Sequence, residues 1–71
     1  MKNWQKVYEN NSPVRAEIVK GVLEDNGIQA VILSKKESVY QIFGNYEVMV
    51  PVNDALRAVN IVKNEISFSN A

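Results

Sequence analysis

The sequence predicts an α+β domain, a small antiparallel sheet with two helices packed on one of its faces. Three observations carry the prediction. Residues 4–9, 29–34 and 46–51 are rich in β-branched and aromatic side chains and read as strands. Apolar residues recur at helical spacing between the first two strands and again after the third. The chain has 71 residues, 46% apolar and 23% charged, which suits one domain with a thin core.

Strand 1, residues 4–9, alternates aromatic and β-branched side chains with polar ones. Asn10, Asn11, Ser12 and Pro13 then mark a turn into a helix. Ser12 is placed to cap it, because a serine hydroxyl accepts from a free amide of the first turn. Pro13 suits the first helical position, where a missing N–H loses nothing. Val14, Ala16, Ile18, Val19, Val22 and Leu23 fall on one broad side of this helix, with Glu17, Lys20 and Glu24 opposite. Gly21 borders the apolar side, either as a point of close approach or as a surface residue. Asn26-Gly27-Ile28 ends the helix: Gly27 takes the left-handed conformation and Ile28 folds back onto Leu23.

Strand 2, residues 29–34, is apolar on both faces through Ala30, Val31, Ile32 and Leu33, a pattern of central or doubly covered strands. Residues 35–44 connect it to strand 3, which alternates Tyr46, Val48 and Val50 with Glu47 and Met49 and closes at Pro51. Asn53 or Asp54 is expected to cap the second helix, with Ala55, Val59, Val62 and Ile66 at helical spacing and Leu56 and Ala58 alongside. The order is β-α-β-β-α. A right-handed crossover followed by a hairpin places strand 3 between strands 1 and 2. This is the ferredoxin-like plan with its last strand short or missing. The expected extent is one domain over 1–71, its core at 4–66 and a tail at 67–71.

Composition closes several function classes. There is no cysteine and no histidine, so disulfides, thiolate chemistry and zinc ribbons are excluded, and the commonest general base and metal ligand are missing. Eight basic residues balance eight acidic ones, whereas nucleic-acid binders carry a basic excess. No stretch reads as a signal peptide or membrane span. A cytoplasmic protein without cofactor or metal is the expectation.

Trp4-x-x-Val7-Tyr8, Ser12-Pro13, Ala16-Glu17, Leu23-Glu24-x-x-Gly27-Ile28-x-Ala30, Gly44-x-x-Glu47-Val48-x-Val50-Pro51 and a final Ala-containing helix together resemble the DUF2007 family. Its members are small, mostly bacterial domains labelled as signal-transducing. The resemblance spans nearly the whole chain and rests on scaffold motifs. It implies a ferredoxin-like fold related to the nitrogen-regulatory PII proteins, whose signalling loop also joins strands 2 and 3.

Two candidate surfaces follow. The connection 35–44 carries Val39, Tyr40, Ile42 and Phe43, either as an exposed contact surface or as cover for the core. The second is the sheet face away from the helices. With Val48 and Val50 inward, Glu47 and Met49 point outward; the alternation of strand 1 turns Val7 inward and Trp4, Lys6 and Tyr8 outward, and one of the pairs Val31/Leu33 or Ala30/Ile32 joins them. Glu47 reads as a rim charge pairing with Lys6. The leading expectation is a non-enzymatic regulatory module that contacts a protein partner or a second copy through that face or through the strand 1 edge. The alternative is a nucleotide or amino-acid sensor using the 35–44 loop, with Lys35, Lys36, Tyr40 and Asn45 as its polar groups. Nucleic-acid and membrane partners are not expected.

Overall fold

The computed structural model describes residues 3–35 and 45–66. Strand β1 (Trp4–Asn10) leads to helix α1 (Pro13–Asp25), then β2 (Val31–Lys35), β3 (Asn45–Pro51), a 3-10 turn (Val52–Asp54) and helix α2 (Ala55–Glu65). The sheet order is β1-β3-β2, and β3 is antiparallel to both neighbours. The β-α-β-β-α order on this three-stranded sheet is the ferredoxin-like arrangement.

Local signals explain α1. The Ser12 hydroxyl accepts from the Arg15 amide at 3.3 Å, and the Ser12 amide donates to the Asn10 carboxamide oxygen at 2.8 Å. Pro13 fills the first helical position. At the other end Gly27 has φ 80°, the Ile28 amide bonds the Leu23 carbonyl at 2.9 Å, and the Gly27 amide bonds that of Glu24 at 3.0 Å. These two crossed bonds satisfy carbonyls that the helix would otherwise leave open. Leu23 and Ile28 are both buried, so the hydrophobic closure expected of this stop is present. Arg57 of α2 donates to the Asn26 carbonyl, placing a cation where the α1 dipole is negative.

The core joins Ala16, Val19 and Leu23 of α1, Ile28 and Ala30 of the following segment, Val48 and Val50 of β3, and Ala58 and Ile61 of α2. Alanines at three of these nine positions let helix and sheet backbones approach closely. α1 packs on all three strands, while α2 packs chiefly on β1.

Several expectations are corrected. Val14 and Ile18 are 66% and 45% exposed; the apolar arc of α1 is wider than the strip the sheet can cover. Asp54 holds the N-cap position of α2, as one of the two expected residues, but makes no side-chain capping bond; a 3-10 turn leads into the helix, and Asp54 pairs with Arg57 at 3.9 Å. The fully buried positions of α2 are Ala58 and Ile61, while Ala55, Val59, Val62 and Ile66 are only half-buried and Leu56 is 76% exposed. β2 begins at Val31 rather than at residue 29, and among the described residues it lies at the sheet edge that the expected strand order gives it.

The two described glycines respond in opposite ways to a methyl group. A Cβ at Gly21 meets nothing within 4 Å, so Gly21→Ala is expected to raise stability by about 0.5–1 kcal/mol through helix propensity. Gly27→Ala is expected to lower it by about 1 kcal/mol, because the left-handed backbone disfavours a side chain. Paired urea titrations measure both.

Candidate interaction surface

The sheet face away from the helices is defined by register. Residues paired across an antiparallel ladder share a face, and successive residues alternate. Val48 and Val50 are buried beneath the helices. Met49 therefore faces the open side, together with its partners Lys6 and Val31. Glu47 does so with Glu9 and Leu33, and Pro51 with Trp4. Ile32, partner of Val48, turns inward and packs on the core.

The ladder between β1 and β3 shifts register between Lys6 and Tyr8. Val7 is the extra residue of a β-bulge, so the alternation of β1 reverses there. Tyr8 pairs with Val48 and packs, with Val7, against the core. The expectation that Tyr8 points outward is thus overturned: strict alternation fails at the bulge. The break is visible in the sequence as an apolar doublet, Val7-Tyr8, set between the charged Lys6 and Glu9.

The bulge brings Lys6 and Glu9 onto one face. In a regular strand, residues three apart lie on opposite faces; here Lys6 Nζ lies 2.7 Å from Glu9 Oε1. It also lies 3.6 Å from Glu47 Oε2, whose side chain is only 12% exposed. The side-chain carboxamide of Asn45 donates to the other oxygen of Glu9. Glu9 and Glu47 are direct cross-strand partners, a placement that repels unless a cation intervenes. Lys6 is that cation. The hydrogen bond and charge of Glu9 raise the Lys6 pKa above its ordinary 10.5; desolvation opposes them, and Glu47 adds a lesser upward pull.

The open face therefore has two parts. Trp4, Pro51, Met49 and Val31 form an apolar end, and Lys6, Glu9, Glu47 and Asn45 form a charged end, with Leu33 beside it. The predicted residues Trp4, Lys6, Glu47 and Met49 are brought together. Val39, Tyr40, Ile42 and Phe43 lie outside the described residues, as do any strand at 67–71 and the sensor loop. Shallow depressions occur elsewhere, at Pro13, Val14, Glu17 and Ile18 on α1 and around Leu56 and Asn60 on α2; neither includes a predicted residue. Among the described residues no three acidic side chains converge as a metal site, and no helix is long and apolar enough to cross a membrane.

Lys6→Met leaves two facing carboxylates, so the variant is expected to melt below the parent at pH 7. At the alkaline end the sign is that of a raised base: the contribution of Lys6 is complete below its unfolded pKa and is lost as pH rises through its folded one. Melting curves of both proteins from pH 7 to 11 check this. A deficit independent of pH would contradict it.

Neither the curated proteins nor the solved structures contain a significant match to the chain. The profile of the DUF2007 family, described as "Putative prokaryotic signal transducing protein", matches residues 4–66. That match takes in every described strand and helix, and the chain belongs to the DUF2007 family.

Proposed function

We propose that the chain is a non-enzymatic interaction module serving signal transduction, and that its open sheet face receives a second copy of the chain. The observation that carries this reading is the make-up of that face. An apolar end holding Trp4, Met49 and Val31 adjoins a cluster containing both signs of charge. A patch of mixed sign is self-complementary about a twofold axis, since each Lys6 can lie against the other copy's carboxylates. The absence of cysteine and histidine and the structural engagement of Ser12, Glu9 and Glu47 support a role without catalysis.

Three strands of up to seven residues present a face of about 23 by 14 Å. That is small beside a standard interface, so association at tens of micromolar or weaker is expected. Sedimentation velocity from 10 μM to 1 mM tests it: a reversible dimer should form and be lost in Trp4→Ser, whose circular dichroism stays that of the parent. A monomer throughout the range would overturn the reading. A thermal-shift screen against nucleotides and amino acids tests the sensor alternative, because a ligand of the native state raises its melting temperature.

A further inference from the structure

Asn26-Gly27 is the one Asn-Gly pair in the chain, and it forms the stop of α1. An asparagine before a glycine is chemically labile. Its side chain lies within reach of the next main-chain nitrogen, and glycine has no side chain to obstruct the approach. The Gly27 nitrogen, giving up its proton to hydroxide, attacks the Asn26 carboxamide carbon. A carbon–nitrogen bond forms, the bond to Nδ2 breaks, and Nδ2 takes a proton from water and leaves as ammonia. Water then opens the five-membered imide. Opening at the side-chain carbonyl gives aspartate; opening at the main-chain carbonyl gives isoaspartate, with one extra methylene in the main chain.

The fold holds this pair out of reacting geometry and engages both nitrogens. Asn26 has φ -95° and ψ 11°. At that ψ the Gly27 nitrogen is turned away from the Asn26 Cβ. Ring closure needs a turn of about 130° about the Cα–C bond, because substituents of a tetrahedral carbon sit about 120° apart. The Gly27 amide donates to the Glu24 carbonyl at 3.0 Å, so the proton that must leave is held. Asn26 Nδ2 donates to the Val22 carbonyl at 2.8 Å, which fixes the leaving group to the helix. The Asn26 carbonyl, part of the peptide unit that must rotate, accepts from the Arg57 guanidinium of α2. Ring closure therefore requires the stop to open, a local event distinct from global unfolding.

We propose that Asn26 is a deamidation site kept latent by the helix stop, with Arg57 as its latch, and that isoaspartate at this position releases the end of α1 from the core. The site is separate from the sheet face and does not depend on self-association. Gly27 is exposed, so hydroxide and water reach the site whenever the stop opens. The aspartate product keeps the main chain: it loses the donor to Val22 and places a carboxylate at the negative end of the α1 dipole, with Arg57 beside it to offset the charge. The isoaspartate product differs in kind. Its extra methylene lies between the Leu23 carbonyl and the Ile28 amide, so the crossed bonds and the burial of Ile28 cannot all be kept.

The full-length protein, held at pH 8 and 37 °C, tests this by mass spectrometry of the peptide around each asparagine, with aspartate and isoaspartate separated. In urea beyond the unfolding midpoint, Asn26 is expected to convert before any other asparagine. In the native protein it should convert at least about tenfold more slowly than in urea, because only the opened stop reacts. Arg57→Met should speed the native reaction about threefold or more and raise hydrogen exchange at the Gly27 amide without raising it in β3. Equal native and unfolded rates, another asparagine reacting first in urea, or no acceleration in Arg57→Met would overturn the latch. Exchange rising equally in β3 would overturn it too, since Arg57 would then act through global stability. The purified isoaspartate form should melt below Asn26→Asp; equal melting of the two would overturn the release of α1.

Discussion

One extra residue in β1 decides what the sheet offers to each side. Val7 has no partner of its own in β3, and from that point the strand turns its other face to the helices. Tyr8 consequently packs on the core, while Glu9 joins Lys6 on the open face. Without the bulge the two charges would lie on opposite sides, Glu9 beneath the helices and Tyr8 in solvent. Burying an unpaired carboxylate is costly enough that the register is strongly specified. The same bulge twists β1 and limits indiscriminate pairing along an exposed edge.

Around that constraint the molecule is held by short, mutually consistent devices. Ser12 and Pro13 start α1, Gly27 and Ile28 stop it, and Arg57 ties its end to α2. Val48 and Val50 place the one strand paired on both sides under both helices. The three described strands are narrow for two helices side by side, so residues packed on the core stay half-covered: Val7 and Tyr8 on β1, Val62 on α2 and Ile66 just beyond it. The surface read as functional is the sheet face that neither helix covers.

Much of the fold was legible because its signals are local. The cap, the glycine stop and the alternation of β3 each depend on neighbouring residues, and the crossover rule then fixes the strand order. The misreadings share a cause. Val14, Ile18 and Leu56 are apolar, but hydrophobic periodicity does not state how wide a strip the partner layer can bury. Asp54 has the chemistry of a cap, yet the 3-10 turn before α2 leaves its carboxylate to Arg57. At the candidate surface, Trp4, Lys6, Glu47 and Met49 were found by counting in twos, and Tyr8 was misplaced by the same counting. The pairing of Glu9 with Lys6 was missed for that reason too. A charged–apolar–apolar–charged run inside a strand is the signal that identifies such a bulge.

The orientation of Tyr8 tests this account most directly, because a strand without the bulge would place the ring on the other face. In a nuclear Overhauser spectrum of the parent protein, the ring protons of Tyr8 are predicted to show cross-peaks to the methyl groups of Val48 and of the helix-side core. Cross-peaks from that ring to the Met49 methyl group and none to Val48 would show a regular β1, and would contradict the assignment of the open face and the charge cluster upon it.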